Sequence, residues 1–292
     1  MKNLNGRVAV VTGGASGIGR GMVEAFISEN MKVVIGDVEK PALDETVAEL
    51  KKDGADVVGF VCDVSNQASV DAMAKAALDA FGAVHLLCNN AGVAGSTDGT
   101  SWELPVEDWN WVMGVNLNGV ANGIRAFVPI MIEQGEDAHI VNTASMAGLI
   151  PGGGTYGVSK SACVALSEGL FSELALAAPK VGVSVLCPGW VKTRIAESDR
   201  NRPEVPREAP SESQPLRELM RKAAEAALAK GLDPREVGDI VVDAIKTRRF
   251  YILTHPWQDM IEHHLKNVIE GRDPVGLIPP GIELPGLETP EQ

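Results

Sequence analysis

The sequence of 292 residues is short of positive charge and of long hydrophobic runs, and each shortage excludes a class of protein. Lys and Arg number 26 against 39 Asp and Glu, a formal net charge of −13, whereas nucleic-acid binding requires clustered cations. No apolar run approaches the roughly 20 residues that span a bilayer, and the N-terminus lacks a signal-peptide pattern. These absences predict a cytoplasmic protein with neither a nucleic-acid nor a membrane partner.

Cysteine is scarce, and its positions exclude a disulfide framework. No two cysteines form a CxxC pair, and all of them stand in apolar stretches, so we predict buried thiols. The four are Cys62, Cys88, Cys163 and Cys187. The histidines at 255, 263 and 264 fit packed or solvated positions better than ligand positions, so we predict no metal site.

Short runs rich in Val, Ile and Ala alternate with helical segments as far as about residue 190. Strands that are apolar throughout are usually buried on both faces, which is typical of a parallel sheet covered by helices. We therefore predict a single Rossmann-like, doubly wound α/β sheet of about seven strands. The candidate strands are 7–12, 32–37, 56–62, 84–89, 139–145, 181–188 and 250–255.

The composition changes after Val191, where "ESDRNRPEVPREAPSESQP" is charged, proline-rich and too polar for a core. We interpret residues at about 194–230 as a substrate lid that includes a short helix. The dinucleotide-binding domain is predicted to run over 1–254. Because its end is rich in proline and glycine, the C-terminal extension over 255–292 is predicted to be irregular.

A glycine-rich segment, "TGGASGIG", follows the first predicted strand and leads into a helix. Its glycines, Gly13, Gly17 and Gly19, let a backbone approach a pyrophosphate, and the helix N-terminus supplies N–H groups and a positive dipole end. The segment, with Ser16 inside it, predicts a dinucleotide site. A tight turn without a ligand is the alternative.

Asp37 ends the second predicted strand, eighteen residues after Gly19. A carboxylate at this place can accept hydrogen bonds from both hydroxyls of the adenosine ribose, and it repels a 2′-phosphate. Val38 is apolar and Ser16 neutral, so the sequence offers no obvious cation for that phosphate. We predict NAD in preference to NADP, with a solvated strand-end acid as the alternative for Asp37.

Other polar residues follow further strands: Asp63, Asn90 and Ser145. The carboxyl ends of parallel strands meet at one rim of the sheet, where ligands bind, so these side chains are expected near one another. Asp63 could instead cap a helix, and Ser145 could cap its strand end.

The motifs "TGGASGIG", "NNAG", "VNLNG", "TASMAG", "YGVSK" and "CPGWVKT", in this order and spacing, resemble the short-chain dehydrogenase/reductase family. The resemblance covers residues 4–193 and, more loosely, 233–254. It implies a catalytic tetrad of Asn116, Ser145, Tyr156 and Lys160. It also implies cofactor contacts at Gly13, Ile18, Gly19, Asp37, Asp63, Val64, Asn90, Gly92, Pro188, Gly189, Val191 and Thr193.

The pair Tyr156 and Lys160 carries the expected chemistry. A free tyrosine is a poor base at neutral pH, but a lysine one helical turn later lies on the same face and favours the phenolate. The resemblance implies that Lys160 also binds the nicotinamide ribose and that Ser145 hydrogen-bonds the substrate oxygen. It further implies that Asn116 holds a water leading from Lys160 towards solvent; a satisfied helix amide is the alternative.

The substrate is expected to contact Ala94, Met146 and Trp190, together with Ser145 and Tyr156. These positions are mostly apolar, so we expect a hydrophobic, bulky secondary alcohol or ketone of aryl, terpenoid or steroid-like type. Small-residue helix faces permit close packing, and the family resemblance implies that such faces pair subunits, so we expect a homo-oligomer, a dimer or a tetramer. Two other functions stay open: a dinucleotide-binding sensor or scaffold without turnover, and an isomerase or dehydratase on the same fold.

Overall fold

The computed structural model describes residues 1–96, 100–150, 154–203 and 214–274. In this part of the chain the strands are β1 (Val8–Thr12), β2 (Lys32–Asp37), β3 (Val57–Val61), β4 (Leu86–Asn89), β5 (Ala138–Thr143), β6 (Val181–Cys187) and β7 (Tyr251–Leu253). The α-helices are α1 (Gly17–Ser28), α2 (Lys40–Lys52), α3 (Gln67–Phe81), α4 (Val106–Met113), α5 (Gly119–Gln134), α6 (Gly154–Ala177), α7 (Gln214–Ala229), α8 (Pro234–Thr247) and α9 (Gln258–Glu270). A π-helical turn (Gly114–Asn118) joins α4 to α5, and two 3₁₀ segments cover Met146–Gly148 and Ile195–Asn201.

The seven strands form one parallel sheet in the order β3-β2-β1-β4-β5-β6-β7, which confirms the predicted fold class. Because every strand is parallel, the segments that follow them all leave from the same rim. The strand order reverses between β1 and β4, and a ligand crevice is expected at such a reversal. The fold therefore brings the ends of β1, β2, β4, β5 and β6 to one site.

Both faces of the sheet are covered, which explains why its strands are mostly apolar. Val10 and Val11 are consecutive residues of β1, yet they belong to different core clusters, one with Phe127 and the other with Phe26. Side chains alternate between the faces of a strand, so a strand covered on both faces is apolar at most of its positions. On one face α1 and α8 pack backbone to backbone, since a Cβ at Gly21 would overlap the Pro234 carbonyl.

The C-terminal extension differs from the prediction. Gln258–Glu270 forms α9, whereas an irregular extension was expected over 255–292. Trp257, Met260 and Ile261 recur at helical spacing and pack in one hydrophobic cluster, a pattern that the proline-rich residues after 271 obscured. Residues 275–292 lie outside the described residues, as does the middle of the predicted lid at 204–213. The domain boundary at 254 stays a prediction.

The four cysteines are free and buried, as expected. Burial raises the pKa of the Cys187 thiol to about 12, so this thiol is protonated and unreactive at neutral pH.

Among the described residues, no helix combines the length and the apolar character needed to cross a membrane. No group of three or more His, Cys, Asp or Glu side chains in those ranges is arranged to hold a metal ion.

Candidate active site

The glycine loop between β1 and α1 is packed so closely that only hydrogen fits at two of its positions. A Cβ at Gly13, whose φ is +62°, would lie 2.9 Å from Ala91 Cα, and one at Gly19 would overlap the Gly13 carbonyl oxygen. Ser16 precedes α1 without capping it through its side chain, so this hydroxyl does not occupy the helix N–H groups. The bare backbone and the helix N-terminus fit a pyrophosphate.

Asp37 connects the end of β2 to this loop. Its Oδ2 accepts a hydrogen bond from Ala15 N at 3.0 Å, and its Oδ1 accepts one from Glu39 N at 3.0 Å. Burial raises the pKa of the carboxyl, and the two backbone hydrogen bonds oppose that rise. Asp37 is thus a held, largely buried group and not the solvated acid of the alternative interpretation.

An arginine from a distant part of the chain pairs with Glu39, two residues after Asp37. Arg200 Nη2 is 2.7 Å from Glu39 Oε1, and Asn201 Nδ2 donates to the same oxygen at 2.8 Å. The Arg200 guanidinium holds the pKa of Glu39 below its ordinary value. The sequence did not indicate this cation, whose charge is paired with Glu39; whether a cation is available for a 2′-phosphate stays a prediction. No local pattern could reveal this contact, because 161 residues separate the partners.

Asn90 joins the ends of three strands. Its backbone N–H donates to Thr12 Oγ1 at 2.9 Å and its Nδ2 to Thr12 O at 3.0 Å, while Thr143 Oγ1 donates to its Oδ1 at 3.3 Å. The side chain is therefore structural at the ends of β1, β4 and β5, and it lies against the glycine loop. Gly92 follows on the same loop.

Asp63 and Val64 follow β3 on the same rim. Asp63 is exposed and accepts from Ser65 N at 2.9 Å, whereas Asn66 caps α3 by accepting from Ala68 N. The helix-cap alternative for Asp63 is therefore wrong. Val64 is buried, and its carbonyl accepts from Asn122 Nδ2 at 2.9 Å.

The structure brings Ser145, Tyr156 and Lys160 to the end of β5. Lys160 is 3% exposed, its Nζ donates to Thr143 O at 3.0 Å, and Nζ lies 5.6 Å from the centre of the Tyr156 ring. Ser145 is buried and its Oγ accepts from Ala147 N at 3.1 Å, so it does cap the short 3₁₀ segment. A buried lysine side chain therefore lies beside a half-buried phenol.

Asn116 lies within the π-helical turn and is fully buried. Its Nδ2 donates to Val93 O at 2.9 Å and to Ser159 Oγ at 3.0 Å, and its Oδ1 accepts from Val93 N at 2.8 Å. Both amide hydrogens are thus used. A Cβ at Gly92 would lie 3.3 Å from both Asn116 Oδ1 and Lys160 Nζ, so these two atoms face the same point. π-Helical turns are frequent at functional sites.

The segment after β6 returns to the glycine loop. Pro188 is buried, Gly189 N donates to Thr254 Oγ1 at 3.1 Å, and buried Val191 pairs with Leu232 in a β-bridge. A Cβ at Gly17 would lie 3.1 Å from Thr193 Cγ2. Thr193 therefore stands beside the start of α1.

The residues predicted to contact the substrate do not lie together in one pocket, unlike the predicted catalytic residues. Met146 is 2% exposed and lies in a core cluster, while Trp190 packs edge to face on Trp257 with ring centres 6.3 Å apart. Ala94 N donates to Ser198 Oγ at 2.9 Å. A cavity of about 470 Å³ is lined by Trp190, Lys192, Ala227, Lys230, Gly231, Leu232, Asp233, Glu236 and His255. Of the predicted substrate residues, Trp190 alone lines this cavity in the part of the chain that the structure describes.

Comparison with known proteins agrees with this geometry. Residues 7–204 match the short chain dehydrogenase family model. The chain belongs to the short-chain dehydrogenase/reductase family. The members of this family bind a nicotinamide dinucleotide, and the present chain is accordingly an oxidoreductase. The position of the glycine loop on the rim of the sheet agrees with that assignment.

Three members of the family are notably similar. A crystal structure of a short chain dehydrogenase/reductase from Burkholderia phymatum in complex with NAD has 44% identity and a TM-score of 0.91, over 96% of this chain and 100% of that chain. The CLA biosynthesis dehydrogenase/reductase of Lactiplantibacillus plantarum is 35% identical over 97% of this chain and 100% of its own length. The 1-deoxy-11-beta-hydroxypentalenate dehydrogenase of Streptomyces arenae is 40% identical over 65% of this chain and 69% of its own length.

Proposed function

We propose that this protein is an NAD-dependent dehydrogenase/reductase that interconverts a bulky, hydrophobic secondary alcohol and its ketone, with Tyr156 as general acid and base. The observation that carries the proposal is the position of the buried Lys160 ammonium, 5.6 Å from the centre of the Tyr156 ring and one helical turn along α6. Ser145 lies on the rim reached by the same helix. A pure dinucleotide-binding protein has no need of these three groups together.

In the oxidation direction, Tyr156 accepts the hydroxyl proton of the alcohol, and in reduction it returns that proton to the carbonyl oxygen. Lys160 favours the phenolate that accepts the proton, and Ser145 donates a hydrogen bond to the substrate oxygen. Bound nicotinamide supplies the hydride acceptor. Positioned acid–base catalysis of this kind contributes about 10²–10⁴-fold to the rate.

Asn116 is proposed to hold a water next to Lys160. Support comes from the positions of Asn116 Oδ1 and Lys160 Nζ, which would both lie 3.3 Å from a Cβ at Gly92. Since Oδ1 accepts one hydrogen bond, from Val93 N, it retains a lone pair for such a water. Lys160 would pass the proton of Tyr156 on through that water.

The preference for NAD over NADP is proposed on the charges at the end of β2. Asp37 and Glu39 are both acidic, and the nearby Arg200 is already paired with Glu39. A 2′-phosphate there would meet one uncompensated carboxylate. The Burkholderia phymatum relative, which was crystallised in complex with NAD, supports the same preference.

The substrate class is proposed from the apolar character of Met146 and Trp190 and from the relatives. The Streptomyces arenae relative is named for a hydroxypentalenate, which carries a hydroxyl group to oxidise. Of the arginines that follow Thr193, Arg200 and Arg202 are each paired with a carboxylate and so are not free to bind an anionic substrate. Arg194, directly after Thr193, is exposed. We further propose a cytoplasmic homo-oligomer with a lid at 194–230; a monomer in light scattering would contradict the assembly.

A panel of secondary alcohols and ketones, assayed by the absorbance of reduced nicotinamide with NAD and NADP side by side, tests this function. We expect turnover with bulky apolar members of the panel and a preference for NAD. Tight NAD binding without turnover of any member would favour the sensor alternative, and substrate conversion without net change of the cofactor would favour the isomerase or dehydratase.

The role of Tyr156 is tested by Tyr156→Phe. This change should lower kcat by about 10²–10⁴-fold because the proton carrier is lost, while NAD affinity stays nearly unchanged. Tyr251→Phe is a matched control, since Tyr251 is the second tyrosine of the chain and its hydroxyl donates to the exposed Glu168. Activity retained in Tyr156→Phe would contradict the mechanism.

A further inference from the structure

A fully buried carboxylate lies beside the candidate active site and outside the residues assigned above. Asp108, in the first turn of α4, is 0% exposed. Its Oδ1 accepts from Ser96 N at 3.0 Å and forms an ion pair with Arg202, and its Oδ2 accepts from Thr155 Oγ1 at 3.0 Å. A buried charge is costly unless it is paired and hydrogen-bonded, and these three partners come from three different segments of the chain.

Arg202 is itself held in place. Its side chain is 11% exposed, its Nε donates to Asp199 Oδ1 at 3.0 Å, and its guanidinium carbon lies 4.5 Å from the centre of the Trp111 ring. A planar guanidinium that pairs with carboxylates and stacks on an aromatic ring is held in a more defined orientation than a lysine ammonium would be. The ion pair with Asp108 therefore fastens the segment after Thr193 to α4.

Thr155, the third partner, directly precedes Tyr156 and is buried. On the other side of Tyr156, Ser159 accepts from Asn116 Nδ2 and donates to the Tyr156 carbonyl at 2.7 Å. The start of α6 is thus attached at two points, through Thr155 to Asp108 and through Ser159 to Asn116. The phenol of Tyr156 lies between these two attachments.

We propose that Asp108 is a positioning residue: through Thr155 it fixes the first turn of α6, and through Arg202 it couples that turn to the segment after Thr193. The proposal rests on the proposed role of Tyr156. A displacement of about 1 Å at the reacting groups can cost roughly 10²-fold in rate, so loss of this attachment should be visible in kcat. A purely structural carboxylate would instead affect stability and leave kcat unchanged.

The sharpest test removes only the link to the catalytic helix. Thr155→Val keeps the volume of the side chain and the ion pair of Asp108 but loses the hydroxyl, whereas Thr155→Ser retains the hydroxyl. We expect Thr155→Val to lower kcat by about 10- to 100-fold, with the NAD dissociation constant changed by less than about 3-fold, and Thr155→Ser to restore most of kcat. The assay is NADH formation from the alcohol of the panel that reacts fastest.

Ser167→Ala is the matched control. Ser167 is a buried hydroxyl on the same helix that donates to Cys163 O and accepts from Asn142, about three turns beyond Tyr156. Its loss should lower the melting temperature without lowering kcat. Arg202→Gln is the companion variant, and the effect of Thr155→Val should shrink in its background, because each change removes one partner of the same carboxylate, Asp108.

A second measurement needs no substrate. In Thr155→Val and in Arg202→Gln, the backbone amides of 158–163 should exchange with deuterium faster than in the unaltered chain, while those of Ser167→Ala in this range should not. Unchanged kcat or unchanged exchange in Thr155→Val would overturn the proposal. If Tyr156→Phe abolishes turnover and Thr155→Val leaves it intact, the positioning role alone fails. If Tyr156→Phe remains active, the proposed function itself fails.

Discussion

The glycine loop (12–19) and the segment after Thr193 (194–203) lie at the same rim of the sheet, but different forces hold them. The loop is held by backbone packing, in which a Cβ at Gly19 would overlap the Gly13 carbonyl. The segment is held by side chains, in which Arg200 contacts Glu39 and Arg202 contacts Asp108. The backbone of the loop can pack in only one conformation, whereas each side-chain contact of the segment can be removed without removing the others.

Two acids at the end of β2 illustrate this difference between the glycine loop and the segment after Thr193. Asp37 accepts from Ala15 N and so belongs to the glycine loop, while Glu39, two residues later, pairs with Arg200 and belongs to the segment. Burial raises the pKa of Asp37, whereas the arginine lowers that of Glu39. Substitutions in the glycine loop should therefore cause a large loss of dinucleotide affinity. Substitutions in the segment after Thr193 or at its partners should each cause a small change in activity.

The largest effect is expected from Gly19→Ala. The new methyl group would overlap the Gly13 carbonyl, so the loop must shift and the dissociation constant for NAD should rise by about 100-fold or more. Fluorescence titration with NADH measures this change. Gly169→Ala is the matched control, because a Cβ at this helical position meets nothing within 4 Å and should leave binding unchanged. Equal binding in Gly19→Ala and the control would show that the loop is not a rigid cradle.

Asp37→Ala comes next. Loss of the carboxylate should raise the ratio of kcat/KM for NADP to that for NAD by about 10- to 100-fold, because a like-charge contact with the 2′-phosphate is removed. Asp37→Asn separates the charge from the hydrogen bond to Ala15. Asp44→Ala, which removes an exposed acid paired with Lys40, is the control. A ratio that does not move would refute the assignment of Asp37 to the ribose.

A smaller effect is expected from Glu39→Gln. Without its carboxylate partner, Arg200 can turn to a 2′-phosphate, and kcat/KM for NADP should rise by about 2- to 5-fold, as befits a partly exposed pair. Glu136→Gln removes a comparable arginine partner, that of Arg7, just before β5 at the opposite end of the strands. If Glu136→Gln changes the NADP activity as much as Glu39→Gln, Arg200 has no part in cofactor choice.

The smallest effect is a pH dependence of cofactor choice. The pKa of Asp37 is raised above its ordinary value of 3.8, so as pH falls its charge is lost at a higher pH than that of an ordinary aspartate. The preference for NAD should then weaken by about 2-fold towards the acid end, and Asp37→Asn should show no such change. Steady-state kinetics with both cofactors at each pH measure it, and parallel profiles for the two proteins would contradict this origin.

Features with a short sequence period were predicted well. The alternation of apolar strands with helices, the glycine loop and the spacing of Tyr156 and Lys160 each reflect backbone geometry over a few residues, and the described fold has them where expected. The helix α9 was missed because the C-terminal region is rich in proline and glycine overall. Its helical pattern lies in the few residues, such as Trp257 and Met260, that pack on the core. The exact substrate surface was also beyond reach, since Met146 lies in the core.

The sequence by itself determined the class of the fold and predicted the glycine loop, because local backbone requirements leave a local pattern. The candidate catalytic residues came from the resemblance of its motifs to the family. Only the tertiary structure decided how these residues are held. Asp108 and Arg202 are 94 residues apart, and Glu39 and Arg200 are 161 apart, so no pattern of nearby residues marks either pair. Burial makes Asp108 dependent on Arg202, and burial exists only once the chain has folded.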